Sequence, residues 1–376
     1  MRKIAAHYAL VGGELRRNII VSVDDNRQIV AIEEVSSIDN MAHVEFYPGI
    51  LIPGMVNAHC HLELSYLRGA IEEHSGFAGF ARAIGAVRNN FTNEERLHAA
   101  SVADREMWEQ GVEAVIDIAN HELVMPIKER SNINYLTLFE VFGLTTQTID
   151  NHSVMASRWE NSDLTPHSTY SLQDNIFRCA TEANNSTVTV HMLESADEVE
   201  LYHKGGSLWA WYERMGWECD FLHYGSPAER IIRSINATKR TLLVHGCMAS
   251  KADIEALNNH FTTPVTWALC PESNRYISDS KPPIDLLRSM GSQVAIGTDS
   301  LASARHLSMV GNMQLLGDIP LCEMLTWATQ NGARAMGLEA KLGTIEVGKT
   351  PGLVILEGAD LHNLKLTPES RTRRIL

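Results

Sequence analysis

Two histidines one residue apart, His59 and His61, close the apolar run GMVNAH. In an extended segment alternate side chains point the same way, so the two imidazoles converge while Cys60 faces away. Two imidazoles so placed can grip one metal ion, although an HxH pair alone is more often simple packing. Three further groups occupy equivalent places. His191 closes TVTVH, His245 closes TLLVH, and Asp299 follows VAIGT, each where an apolar run gives way to a polar loop. Imidazole and carboxylate donors suit Zn²⁺ or Fe²⁺, whereas Ca²⁺ and Mg²⁺ prefer oxygen. The task of such a metal is to lower the pKa of a bound water towards neutrality. Glu194, three residues after His191, is the natural proton carrier beside it. On a continuing strand it would face the wrong way, so the chain must turn directly after His191. Taken alone, Glu194 reads better as a solvated loop carboxylate.

Bringing these groups together requires several strand ends at one face. Short apolar runs at 54–59, 112–118, 135–141, 164–168, 188–192, 241–245, 265–269 and 294–297 alternate with helix-length amphipathic stretches. Eight such runs predict an α/β fold, a (β/α)8 TIM-like barrel, whose active sites lie at the C-terminal strand ends. A doubly wound sheet is disfavoured, because no GxGxxG and no Walker loop follows any run. The two ends of the chain read differently. Residues 1–50 alternate like a meander, and LGTIEVGKTPGLVILEG is again strand, turn, strand. Each is too short to fold alone, so they are expected to pair into a small β-sandwich domain. The expected division is 1–50 and 342–376 for that domain and 51–341 for the barrel.

Bulk composition narrows the partners. The 376 residues carry 46 Asp and Glu against 32 Lys and Arg, a net charge of −14. That balance argues against nucleic acid and against anionic lipid, leaving a small-molecule substrate. No run approaches the roughly 18 apolar residues of a spanning helix. The N-terminal MRKIAAHYALVGGELRRN lacks the long apolar centre of a signal peptide. The six cysteines show no CxxC spacing and read as reduced thiols. The expectation is a cytoplasmic homodimer.

The ordered set PGMVNAHCHLELSYLRG, PHSTYS, HMLES, LVHG, CPESN and GTDSLAS resembles the amidohydrolase superfamily. It is most similar to the branch that holds cytosine deaminase and the triazine hydrolases. The motifs span residues 53 to 303, and LGTIEVGKTPGLVIL resembles the closing β-segment of that family. The resemblance implies one metal, Zn²⁺ or alternatively Fe²⁺, held by His59, His61, His191 and Asp299. It implies that Glu194 shuttles protons and that His245 hydrogen-bonds the attacking water or the substrate; in the corresponding mechanism Asp299 or Glu194 takes the proton of that water. LTPHSTYS has no lysine, unlike branches with two metals, and Cys60 stands where the family often has Thr.

The activity implied is hydrolytic deamination of an amino-substituted heterocycle, a purine or pyrimidine base or nucleoside derivative such as an aminofutalosine-like one. A cyclic amide hydrolase resembling imidazolonepropionase, a triazine-type chlorohydrolase and a non-catalytic metal-binding scaffold are the alternatives. A serine hydrolase is weaker still, for want of a GxSxG elbow. Arg68, His167, Asn274, Arg275 and Ser303 lie in or just after the strand-end motifs and are candidates to contact substrate. Trp209, Trp211, Tyr212, Trp217, Phe221 and Tyr224 could cover the pocket, or could pack a helix on the barrel.

Overall fold

The structure, a computed structural model, describes residues 1–35 and 43–376, so 36–42 of the N-terminal segment lie outside the described residues. The chain begins with β1 (Arg2–Val11), β2 (Glu14–Arg16), β3 (Ile19–Val23), β4 (Ile29–Glu34) and β5 (Val44–Pro53). Eight strands with long excursions between them follow: β6 (Met55–Cys60), β7 (Val112–Ala119), β8 (Asn134–Val141), β9 (Ser162–Pro166), β10 (Val188–Met192), β11 (Thr241–His245), β12 (Thr266–Leu269) and β13 (Gln293–Ile296). The tail returns as β14 (Leu353–Glu357) and β15 (Arg371–Arg374).

All eight expected barrel strands are present, most within one residue of the anticipated bounds. They form two parallel four-stranded sheets, β6-β7-β8-β9 and β10-β11-β12-β13. Each seam between the sheets rests on one isolated parallel bridge, Cys60 with Asp299 and Ser168 with His191. At the first seam the amides of Thr298 and Asp299 both donate to the carbonyl of His59, at 3.0 Å each. Asn57 braces it, accepting from the Thr298 amide at 3.1 Å and donating to its hydroxyl at 2.7 Å. At the second, the His191 amide donates to the His167 carbonyl at 2.9 Å. Candidate site residues therefore also close the barrel.

Every residue of β7, β10, β11 and β12 is buried, as expected of strands covered on both faces. Apolar groups from strands and helices, among them Met107, Phe177, Ile231, Leu257 and Trp267, share one core. Each such side chain contributes about 1.5–3 kcal/mol by leaving water. Local signals set the helices as well. Thr92 and Glu95 form a capping box at the start of the helix Asn93–Glu109, as Ser250 and Asp253 do at Lys251–His260.

Both chain ends contribute to one seven-stranded sheet, in the order β15-β14-β5-β1-β3-β4 with β2 on β1. It has a core of its own, built from Ile4, Val21, Ile29, Leu51, Ile345, Leu353 and Ile355. β5 extends to Pro53, three residues past the expected boundary, because Leu51–Pro53 still pair with β14. Gly54 makes the crossing into the barrel. A Cβ there would lie 2.6 Å from Glu113 Cβ and 2.7 Å from the Pro351 carbonyl oxygen. No helix among the described residues is long and apolar enough to cross a membrane.

One buried ion pair stands beside the HxH segment. Lys128 pairs with Asp117, the side chains being 3% and 0% exposed, and donates to Thr137 Oγ1 at 3.0 Å. Asp117 Oδ1 accepts the Leu62 amide at 2.7 Å, which ties the chain just past His61 to β7. Removing one member leaves the other charge stranded away from water. Lys128→Ala should therefore lower unfolding stability by about 3–5 kcal/mol in a denaturant titration. A loss below about 1 kcal/mol would show that Asp117 does not need its cation.

Candidate metal centre and active site

β6 delivers the two imidazoles as the alternation predicts. The Nε2 atoms of His59 and His61 face each other at 3.1 Å, while Cys60 turns into the apolar core. Asp299 Oδ1 lies 3.7 Å from His59 Nε2 and 3.5 Å from His61 Nε2. The His191 ring centroid stands 4.7 Å from that of His59, and one donor atom each from His59, His61 and His191 lies within 4.8 Å of the others. Donors at about 2.0–2.1 Å from a tetrahedral Zn²⁺ would sit roughly 3.4 Å apart, close to the His59–His61 and His61–Asp299 separations.

Protonation favours the same use. Burial, reinforced by His61, pushes the His59 imidazole well below its usual range; burial, reinforced by His59 and His167, does the same to His191. Both rings are thus neutral, as metal ligands must be. Burial alone would raise the Asp299 carboxyl, but His61, His59, His245 and the Ser273 hydroxyl outweigh it and hold it at about 2. Asp299 therefore remains a carboxylate across the working pH range. Ser273 and Ser303 both donate to its Oδ2, at 2.6 and 3.0 Å.

A hydrogen-bond chain assigns the tautomers. Asn274 Oδ1 can only accept, and it lies 2.7 Å from His245 Nδ1, so that nitrogen carries the proton. In the neutral ring His245 Nε2 is then an acceptor, and His191 Nδ1 donates to it across 3.0 Å. That leaves a lone pair on His191 Nε2, a buried atom with no hydrogen-bond partner. A buried orphan nitrogen beside two converging imidazoles and an ionised carboxylate fits a divalent transition metal.

Glu194 reaches the cluster because the chain does turn. Leu193 adopts φ +51°, a left-handed conformation that non-glycine residues seldom take. Glu194 Oε1 then stands 3.5 Å from His245 Nε2, and Oε2 accepts from the Tyr170 hydroxyl at 3.0 Å. His245 and Asp299 are themselves left-handed, at φ +74° and +57°, and Gly246 follows with its Cα against the Trp267 ring. Such strain gathers where a site is over-determined by its surroundings.

Of the five residues anticipated as substrate contacts, the structure leaves only His167 facing the cluster with a surface of its own. Its ring centroid is 4.8 Å from that of His191, and it is half-buried. Asn274 and Ser303 serve His245 and Asp299. Arg68 is engaged elsewhere, in a 2.8 Å ion pair with Glu106, and Arg275 lies exposed on the helix Pro271–Ser278. Both arginines follow strand-end motifs in sequence, but a motif does not report which way the side chains beyond it point.

Sequence reasoning missed Tyr170 and Ser273, although both lie inside PHSTYS and CPESN. It also missed Glu140, within 4.8 Å of donor atoms on His167 and His191; its Oε1 accepts from Asn120 at 2.6 Å and its Oε2 is buried without a partner. Buried Glu63, whose carboxyl burial raises to about 8, accepts the Asn120 amide at 3.0 Å. The aromatic segment forms a cluster of its own. Tyr212 and Phe221 pack with Tyr202, Phe77 and Tyr170, and Trp209, Trp211, Trp217 and Tyr224 lie against them.

Residues 50–371 match the model of a family described as the Amidohydrolase family. The chain is 25% identical over 354 residues to an adenosine deaminase of Helicobacter pylori, covering 88% of this chain and 83% of that one. It is 24% identical over 336 residues to a 5-methylthioadenosine/S-adenosylhomocysteine deaminase of Thermoanaerobacter pseudethanolicus, covering 82% and 73%. The crystal structure of Helicobacter pylori aminofutalosine deaminase with methylthio-coformycin superimposes with a TM-score of 0.82 at 23% identity, over 98% of this chain and 94% of that one. That likeness shows a shared fold.

The purified protein should hold about one divalent transition metal per chain by elemental analysis, as a site of this donor count takes. His191→Ala and Asp299→Ala should lose most of it while remaining folded. Full metal content in both variants would place the ion elsewhere.

Proposed function

The chain belongs to the amidohydrolase family, and from that membership we propose that it is a zinc-dependent aminohydrolase acting on an adenosine-type nucleoside. The observation that carries this reading is Glu194, turned back so that its carboxyl lies between His245 and Tyr170 beside the histidine cluster. A ligand set alone would serve a metal store; a proton carrier aimed at the same point serves a hydrolysis.

His59, His61, His191 and Asp299 would hold the ion, and a site dominated by nitrogen donors favours Zn²⁺ over the hard cations. When bound, it supplies a water acidic enough to act as a nucleophile near neutral pH. Glu194 takes the proton that this water gives up and delivers it to the ring nitrogen beside the carbon under attack. The exocyclic amine leaves as ammonia and the carbon keeps the oxygen, so one water is consumed per ammonia released. Tyr170 donates to the Glu194 oxygen turned away from His245 and so orients the carboxyl. His245, with its Nδ1 proton held by Asn274, keeps Nε2 on the His191 ring and so orients that ligand. Asp299 remains ionised and keeps its Oδ2 on two serine hydroxyls.

The similarity to adenosine and methylthioadenosine deaminases supports a nucleoside over a free base. The free state of all six cysteines suits a reducing, cytoplasmic setting.

Ammonia release should be detectable from at least one of adenosine, 5′-methylthioadenosine, S-adenosylhomocysteine and aminofutalosine, and weaker from adenine, guanine and cytosine. Glu194→Gln should lower kcat by about 10²–10⁴-fold with metal content unchanged. A metal-loaded enzyme that releases no ammonia from any of these would overturn the reading and point to another leaving group, cyclic amides first.

A further inference from the structure

The turn that aims Glu194 is held from behind by a second glutamate. Glu198, on the helix Ala196–Tyr202, is fully buried, and its Oε2 accepts the Glu194 amide at 2.9 Å. Its Oε1 accepts from the hydroxyl of Thr169, the residue before Tyr170. One carboxylate thus ties the backbone of the proton carrier to the loop whose next residue donates to that carrier's side chain.

Thr169 is anchored in turn. Its carbonyl accepts from Arg230 Nη1 at 2.7 Å and from the Tyr202 hydroxyl at 2.8 Å. Arg230 is fully buried, lies over the rings of Phe177 and Phe221, and gives its second Nη to the Leu172 carbonyl at 2.8 Å. Neither Glu198 nor Arg230 contacts the histidine cluster through any hydrogen bond described above. An acid and a guanidinium both withheld from water are costly unless each is satisfied. Here Glu198 is satisfied by the two loops that carry Tyr170 and Glu194, while Arg230 gives both Nη groups to carbonyls of the Tyr170 loop.

We propose that Glu198 is a positioning residue for the reaction: by clamping the Glu194 amide and the Thr169 hydroxyl together, it sets where the Glu194 carboxyl stands relative to His245. Without the clamp, the left-handed turn at Leu193 has no side chain holding the Glu194 amide. A displacement of about 1 Å in a catalytic group can cost about 10²-fold in rate. Glutamine is a fair replacement at this site. Its carbonyl oxygen can accept the Glu194 amide while its NH₂ donates to Thr169 Oγ1, whose hydroxyl can turn to accept.

The inference rests on the aminohydrolase reading for its kinetic arm, so the test has a second arm that does not. With metal-loaded protein and the best nucleoside substrate, Glu198→Ala should lower kcat per bound metal by about 100-fold, with KM within about threefold of wild type. Glu198→Gln should recover kcat to within about tenfold of wild type. A purely structural role would lower the folded or metal-loaded fraction and leave kcat per bound metal unchanged. In hydrogen exchange, the peptide spanning 193–199 should exchange faster in Glu198→Ala and return towards wild type in Glu198→Gln. Unchanged exchange there, or kcat per metal within threefold of wild type in Glu198→Ala, would overturn the proposal. Should Glu198→Ala fail to fold, Thr169→Val decides: it keeps the Glu194 amide bond but removes half of the clamp, and must lower kcat per metal at least about fivefold. If wild type releases no ammonia, the aminohydrolase reading fails and exchange alone decides the role of Glu198.

Discussion

Two imidazole nitrogens 3.1 Å apart and removed from water cannot both carry a proton, and much of the site follows from that constraint. His59 is kept neutral by burial and by His61 beside it, and His191 by burial and by His59 and His167. Asp299 stays ionised because the imidazoles of His61, His59 and His245 and the Ser273 hydroxyl outweigh the cost of burying it. The tautomers are then settled from outside. Asn274 can only accept, His245 must therefore donate to it, and His191 must donate to His245, which leaves His191 Nε2 with a free lone pair. An array of basic lone pairs around one carboxylate is unfavourable without a cation to share them.

The same residues carry a mechanical role. The two half-sheets of the barrel meet through single bridges, and those bridges involve Cys60 with Asp299 and Ser168 with His191. Thr298 and Asp299 donate to the His59 carbonyl, so the backbone that closes one seam also sets the separation of two ligands. The ion pair of Lys128 with Asp117 steadies the same strand end through the Leu62 amide. Site geometry and barrel closure are therefore one structural problem with one solution. This accounts for the left-handed backbone at Asp299, since a position fixed by a seam leaves little room to relax.

Around this rigid centre the loops take different parts. The long excursion after β10 builds its own aromatic core, which packs Tyr212 and Phe221 against Tyr170. Tyr170 is thereby held from its ring side and free to give its hydroxyl to Glu194. Near the ends of β7 and β8, Glu63 and Glu140 are buried carboxyl groups joined through Asn120, which donates to both. Aromatic packing and carboxylate lining are both properties of loops, which explains why relatives with the same barrel act on different molecules.

The sequence by itself determined the eight strands, because apolar runs bounded by polar turns need only local pattern to be read. It also determined the convergence of His59 and His61, since alternation along a strand is a local rule that reaches two residues. The turn after His191 was legible for the same reason: Glu194 could face its neighbours only if the strand stopped. What lay beyond was decided by tertiary structure. Arg68 and Arg275 read as pocket candidates, but the loop after the HxH segment gave one to Glu106 and helix orientation gave the other to solvent. Asn274 and Ser303 lie in strand-end motifs, yet their service to His245, 29 residues away in sequence, and to Asp299, 4 away, depends on how the loops fold back over those strand ends. Glu198 carried no local signal, because a glutamate in the first turn of a helix is usually solvated. Its meaning comes from Thr169, 29 residues earlier and brought alongside by the β9–β10 seam. Local pattern fixes which way a strand residue points; only the packing of one loop on another decides what it meets there.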